Sequence, residues 1–598
     1  MTRTQTHEFL NSPADEARTP SVWWAILMLA VITMLAFANA AHDELVLDDK
    51  VFVGPESTLD LKDNREAFLQ DIWEKKSIKS SLYRPLLLIN FSLENRLFGD
   101  WITGYHLVNI LTHLLACLLL FGFLMHILQK LGGSSKTAML AALLASMVFA
   151  AHPVHTEVVN SIFNRSSIYV SICAIAGLWW LSHWLDRRPV IAWLGLALFY
   201  SIGILFKESA LVIPGIAVAL IIILSDMNFG ERIRRFLPVL GLLIPIALFF
   251  YLRHLALTTG MNDAGDPVAT GARPLPDLDS VLAVLGNLGR GLRVILWPNP
   301  LQMFYREPSS VELGLVIMLQ VVLLALAVYL FLKGKPGLAA GLAFYYIAML
   351  PASRIISLDK VMPHLAERYL YFPSVGLTIT LAIALMNTIT RYGPRLPVLI
   401  GMPLIVFLTV LTWERNHEWS TEYLLFKTEY DRGYRGHGAI RLIVGKLVEA
   451  KDFQGVVKIC EENPEAQAMS FYFSNTCAYS YLHLKRADDA IGSFELTAQH
   501  KKHWAKANLA IADILIKTGR LQEGADRYAE VINRSDDPAV KEVLKGLLNL
   551  ELYPGNRQKM LEAKEYFEKA LSIDPESELA RAWVKQVDSM LSPRADSL

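Results

Sequence analysis

"AHPVHTEVVNSIFNRSS" occupies Ala151 to Ser167. A run of small apolar residues precedes it and another apolar run follows. The stretch itself carries two histidines, a glutamate, two asparagines and an arginine. Such groups are costly in or near a bilayer unless they have partners or water. Their placement between two apolar runs reads as a polar corner joining two membrane helices.

The chain around this corner has 598 residues, 53% of them hydrophobic and 19% charged. Soluble domains average about 25% charged residues. The apolar residues concentrate before Trp413, and the remainder reads as an ordinary soluble sequence. The run Ser21 to Ala41 exceeds a signal-peptide core of about 7–15 residues, so an uncleaved first transmembrane helix is expected. Further spans are drawn near 104–126, 137–152, 168–184, 190–206, 210–224, 237–255, 311–332, 337–351, 372–388 and 397–413. These amount to about eleven spans, and an odd number puts the two termini on opposite sides.

Basic residues orient the bundle. Lys130, Lys136, Arg187, Arg188, Arg232, Arg234, Arg235, Lys333, Lys335, Arg391 and Arg395 fall on the short loops of one side. The positive-inside rule predicts that side to be cytoplasmic. Residues 1–20 then form a cytoplasmic tail and 21–413 a transmembrane domain. The outer loops are 42–103, 256–310 and 352–371, and everything after Trp413 lies outside. Net charge is zero, which argues against a nucleic-acid partner. Four cysteines exclude a disulfide scaffold and show no metal-type spacing.

After a connector, 414–437, the segment 438–592 reads as a helical repeat array. "EAKEYFEKALSIDP" places Ala563, Phe567, Ala570 and Pro575 at the second-helix spacing of a tetratricopeptide repeat. Ala512, Gly519, Gly524 and Tyr528 repeat the frame upstream, as do Ala478, Tyr481, Ala490 and Phe494. A weaker unit lies near 438–466. A generic helical array is the plainer alternative, and either solenoid supplies a binding surface. Cys460 falls late in a second helix and Cys477 in the first helix of the next unit, so a bridge is geometrically open to them if their Cα atoms lie within about 7 Å. Cys117 and Cys173 lie in spans and are expected to remain thiols.

The ionisable residues near the outer helix ends form a collection. Asp48 and Asp49 open the first outer segment. Arg84, His106, His152, His155, Glu157, Arg165, Lys207, Glu208, His364, Glu367 and Arg368 fall at other outer ends. Taken singly, each has a plain structural role: a cap for Asp48 or Asp49, snorkelling for Arg84 or Arg368, a surface pair for Lys207 and Glu208. Scattered structural pairs would not choose one face. Carboxylates opposite several cations suit transfer from a phosphate leaving group. The carboxylate accepts a proton from the attacking hydroxyl, and the cations stabilise charge on the departing phosphate.

The motif order resembles the transmembrane and tetratricopeptide-repeat-containing O-mannosyltransferases of the C-type (GT-C) glycosyltransferase superfamily. The blocks are "LDDKVFV", "YRPL", "GYHLVNILTHLL", "FAAHPVHTEVV", "KES", "ERYLYFPSVG" and "WERNHEWSTEYLLF". The chain has "NRSS" at Asn164 to Ser167 where that family often has a Gly-Arg-Ala-Asp-like stretch. The resemblance implies an all-α, GT-C-like polytopic bundle followed by a tetratricopeptide-repeat solenoid. It implies transfer of mannose or a related hexose from a polyprenyl-phosphate donor to a protein hydroxyl on the non-cytoplasmic face, with the repeats binding the acceptor. Asp48 or Asp49 would be the catalytic carboxylate. Arg84, Arg165, Lys207 and Arg368 would bind the donor phosphate. His106, His152, His155, Glu157, Glu208 and Glu367 would support that site. No obligatory metal is expected, a divalent ion on the first-loop carboxylates being the alternative. A bacterial inner membrane with periplasmic repeats is expected, the alternative being the endoplasmic reticulum with lumenal repeats. Two other readings compete: a non-catalytic membrane-anchored repeat scaffold, and a transporter of lipid-linked sugar. An anchor needs one span, and a transporter predicts polar residues near the bilayer midplane.

Overall fold

The computed structural model describes residues 21–592 except 60, 62, 73–81, 225–229, 231–234, 260–277, 307 and 354–364. The expected cytoplasmic tail, Arg232, Arg234, His364 and the middles of the outer loops 256–310 and 352–371 lie outside the described residues. Among those described, every regular element is helical. In lipid each backbone polar group needs a partner within its own segment, which a helix supplies. The chain divides into two compact units, Met1–Arg432 and Gly433–Leu598.

In the first unit a helix forms at each apolar run drawn from the sequence. Six are long and apolar enough to cross a membrane alone: Ile102–Lys130, Pro189–Phe206, Leu237–Thr258, Ser310–Leu332, Tyr371–Tyr392 and Arg395–Glu418. Ser135–Ala150 and Pro153–Asn160 make a seventh span if taken together. Val22–Ala36, Glu208–Leu224 and Gly337–Ala352 are apolar but shorter. The chain is a multi-pass membrane protein.

Packing sorts these helices into inner and outer ones. Ser135–Ala150 is buried on nearly all faces, with Ala138, Ala141, Ala142 and Ala145 fully covered. Small residues let its neighbours Val22–Ala36, Ile102–Lys130 and Tyr371–Tyr392 approach closely. By contrast only 17% of the apolar window of Ser310–Leu332 is buried, against 61% for Tyr371–Tyr392. Leu315, Val321, Leu399 and Ile400 are exposed, as suits a surface wetted by lipid.

The opening stretch breaks the helical path. Pro153 cannot extend Ser135–Ala150, because it lacks an N–H and its ring crowds the preceding turn. His152 turns extended, and the axis bends by 52° into Pro153–Asn160. A short turn, Phe163–Arg165, then leads into Ser166–Trp184. The polar groups of the corner thereby gather at one end of the bundle.

The second unit is a series of antiparallel helix pairs. They are His437–Glu449 with Phe453–Glu462, Phe471–His483 with Ala487–Ala498, Trp504–Lys517 with Leu521–Arg534, and Pro538–Leu552 with Arg557–Ile573, followed by Glu578–Leu591. Ala478, Ala490, Phe494, Ala512, Tyr528, Ala563, Phe567 and Ala570 are all buried. Gly524 is needed for close approach: a Cβ there would stand 2.6 Å from Ile516 Cγ1 and 2.9 Å from the Ala512 carbonyl oxygen. Gly519 takes φ +87° at the turn, a conformation that favours glycine. Cys460 and Cys477 form a disulfide with Cα atoms 6.0 Å apart, while Cys117 and Cys173 are buried free thiols.

Candidate active site

The first outer segment enters the site through a turn with Leu47 at φ +54°. A bulky residue in that region is a true outlier. It sets two adjacent aspartates on different tasks. Asp49 is fully buried. Its carboxylate accepts from the backbone N–H of Ile162 (2.9 Å) and Phe163 (2.8 Å) and from the Ser161 hydroxyl (3.2 Å). It ties the first segment to the polar corner and satisfies donors that the broken helix leaves open. Burial pushes its carboxyl up to about 7, against the pull of those backbone donors.

Asp48 is exposed, and its carboxylate makes no hydrogen bond to the described residues. The charges that act on it are those of Arg368, Arg84 and Glu157. Although solvent reaches it, the surrounding protein still desolvates it enough to raise its carboxyl above the usual carboxylate range, with Arg368 and Arg84 pulling the other way.

Arg84, Arg368 and Lys207 are each held by a carboxylate or a hydroxyl. Arg84 is buried, and its Nε and Nη2 donate to both oxygens of Glu208, at 3.0 and 2.7 Å. A bidentate pair fixes orientation as well as charge. Arg368 donates to Glu157 through Nη1 (2.5 Å) and through its backbone N–H (2.8 Å). Lys207, buried, donates to the Ser167 hydroxyl at 2.8 Å. Ser167 in turn donates to the Arg368 carbonyl at 3.4 Å, so the last residue of the opening stretch joins two cations. Burial, with Arg84 nearby, lowers the Lys207 ammonium to about 7.

Other residues singled out from the sequence lie nearby but face elsewhere. Arg165 is fully buried and satisfied by Glu94, by the side-chain oxygens of Asn109 and Asn90, and by the Tyr105 carbonyl. It locks the corner onto Pro85–Phe98 and Ile102–Lys130, and its guanidinium is taken up by those partners. His106 is buried against His42, ring centroids 4.1 Å apart. The His152 ring pairs Nε2 with the Ile295 carbonyl (2.9 Å), and its Nδ1 accepts from the Val154 N–H (3.2 Å). His155 Nε2 pairs with the Ser374 hydroxyl at 3.0 Å. Both rings position the corner.

Glu367, next to Arg368 in sequence, turns to a second buried network. It accepts from Arg415 Nη2 at 3.0 Å, and Arg415 also meets Glu418 and Glu429. Burial pushes the Glu367 carboxyl up to about 8, against Arg415. Sequence reasoning passed over Glu94, Ser167, Arg415 and Glu429. Of these, Arg415 lies in "WERNHEWSTEYLLF" and Ser167 ends the opening stretch, while Glu429 falls three residues beyond that motif. No group of three or more metal-ligating side chains occurs among the described residues.

Asp48 thus feels the charges of Arg84 and Arg368, and Lys207 lies within reach of the same two guanidinium groups. The arrangement can accept a proton on one side and hold an anion on the other. No family model matches the chain. It is similar to protein O-mannosyl-transferase TMTC4 of Mus musculus, 28% identical over 481 residues, which cover 68% of this chain and 62% of the relative. TMTC4 of Homo sapiens is 26% identical over 68% of this chain and 61% of its own length. TMTC3 of Homo sapiens is 23% identical over 85% of this chain and 59% of its own. The chain therefore spans about three fifths of the length of the curated relatives it matches. The resemblance read from the motifs holds across most of the chain.

Proposed function

We propose that the chain, as a relative of the transmembrane and tetratricopeptide-repeat-containing O-mannosyltransferases, is an integral membrane glycosyltransferase with its reaction centre at Asp48. It moves a hexose, mannose or a close relative, from a polyprenyl-phosphate donor to a protein hydroxyl on the non-cytoplasmic face. The bond from the sugar's anomeric carbon to the phosphate oxygen breaks, and a bond to the acceptor oxygen forms. Asp48 takes the proton of that hydroxyl. Arg84, Arg368 and Lys207 hold the phosphate and stabilise its growing charge. Glu208 and Glu157 act as positioning residues that aim the two guanidinium groups. Asp49 positions the loop from which Asp48 projects.

The observation that carries this reading is the contrast between the aspartates: one is consumed by three donors, the other is exposed, makes no hydrogen bond to the described residues and feels the charges of Arg368 and Arg84. The helix pairs of 438–592 are read as tetratricopeptide repeats that bind the acceptor outside the membrane. The Cys460–Cys477 bridge suits such an oxidising compartment, a bacterial periplasm or an endoplasmic-reticulum lumen. The test is release of polyprenyl phosphate when purified protein meets donor and an acceptor peptide. Wild type should release it and Asp48→Asn should not. No release by wild-type protein, with mannosyl and glucosyl donors alike, would favour the scaffold reading.

A further inference from the structure

A cavity lies far from Asp48 along the bundle. Asn109, whose amide nitrogen donates to the Val159 and Ser161 carbonyls, marks the Asp48 end of Ile102–Lys130. Lys130 closes the other end. At 1.5 Å per residue the two are about 30 Å apart, the thickness of a hydrocarbon core. Near Lys130 the ends of Ile102–Lys130, Ser166–Trp184 and Ile213–Leu224 diverge around a hollow of about 310 Å³. Its walls are apolar, including Phe123, Leu124, Leu178, Leu181, Ala217 and Leu220.

Its mouth is charged. Lys130 Nζ donates to Asp186 Oδ2 (2.8 Å) and to the Ser182 carbonyl (2.5 Å). Arg235 Nη1 donates to Asp186 Oδ1 at 2.6 Å. Arg187 and Arg188 stand exposed beside it. Among the described residues, two cations, Lys130 and Arg235, therefore share one carboxylate at the edge of the chamber.

We infer that this cavity binds a bilayer glycerophospholipid with an anionic head group. One acyl chain enters between the three helices, and the phosphate rests on Lys130 and Arg235. The volume falls within the range of real ligand sites, about 300–1,000 Å³. Apart from Lys130, Ser182 and Asp186 the lining is apolar, so an acyl chain meets like surface over most of the chamber. The net positive rim selects the head group, as basic pockets between transmembrane helices do. The donor phosphate belongs at the opposite end, with Arg84 and Arg368, so the occupant here is a resident lipid and not the substrate. The binding of an anionic phospholipid here does not depend on which sugar is moved; that the occupant is not the donor rests on the proposed reading of Arg84 and Arg368 as the donor site.

The test is native mass spectrometry of the delipidated full-length protein in detergent. It is titrated separately with phosphatidylglycerol, with phosphatidylcholine of the same chains, and with a long polyprenyl phosphate. Phosphatidylglycerol should bind at least tenfold more tightly than phosphatidylcholine. The double variant Lys130→Ala/Arg235→Ala should lose about thirtyfold for phosphatidylglycerol, with phosphatidylcholine binding little changed. Leu220→Trp, which fills the chamber, should abolish the bound lipid while a cooperative melting transition persists. If that variant does not fold, the charge pair decides alone. Equal binding of the two phospholipids, or an unaltered affinity in the double variant, would overturn the inference. So would polyprenyl phosphate outcompeting phosphatidylglycerol at these two residues.

Discussion

At the end of the bundle that holds Asp48, the cations Arg84, Arg165 and Arg368 lie inside the protein and each meets a carboxylate. At the end that holds Lys130, the charges stay out. Lys130 keeps 41% of its side chain exposed and Asp186 55%, and the cavity beside them is lined mostly by apolar groups. The first end carries an expense the second avoids. Taking both partners of an ion pair out of water is seldom a net gain in stability. Such pairs are retained where direction matters, and in the proposed site the guanidinium groups must hold their aim before a ligand arrives. The exposed end has no such need, and its charges fit the proposed lipid head group.

The largest effect that could break this contrast is on turnover. Asp48→Asn should lower it by about a hundred- to ten-thousand-fold while leaving the melting temperature within a degree or two, as checked by transfer assay and thermal unfolding side by side. Asp49→Asn should do the reverse in emphasis. One of its donors loses its partner at a cost of about 1–3 kcal/mol, so the melting temperature falls. If Asp49→Asn is fully stable and inactive while Asp48→Asn is active, the roles are exchanged.

Next in size is the interior lock. Glu94→Ala leaves Arg165 buried without its carboxylate and should cost about 3–5 kcal/mol, read as a fall in unfolding temperature. The same change at the exposed end is the smallest effect. Asp186→Ala should alter stability by less than about 1 kcal/mol. Equal costs would erase the distinction between the two ends. Between these lies the second unit: reducing the Cys460–Cys477 bridge, which closes a 17-residue separation, should cost about 3 kcal/mol. Denaturant melts of the whole chain with and without reductant measure it in the later-unfolding or earlier-unfolding transition of that unit.

The helices were readable because the apolar runs and the repeat frame are local signals. Ala512, Gly524 and Tyr528 show their packing role within seventeen residues of sequence. That polar groups would gather at one end was also readable, since a membrane makes each of them costly. Their pairing was not. Arg84 meets Glu208 across 124 positions and Arg368 meets Glu157 across 211, and no periodicity spans such distances. Arg165 looks like a phosphate ligand in the sequence because its partner Glu94 lies on another helix, 71 positions away. Asp48 and Asp49 could not be ranked because adjacent residues of a turn differ only in which way the backbone aims them.

The most direct measurement is the pH dependence of kcat/KM for wild type and Asp48→Asn. The Asp48 carboxyl sits above the usual carboxylate range because its site is desolvated, and a base works only when ionised. Wild-type kcat/KM should therefore rise with pH through a midpoint above about 3.9. Asp48→Asn should be slow and lack that rise. The same acid limb retained in Asp48→Asn, at near wild-type rate, would contradict the assignment of the proton to Asp48.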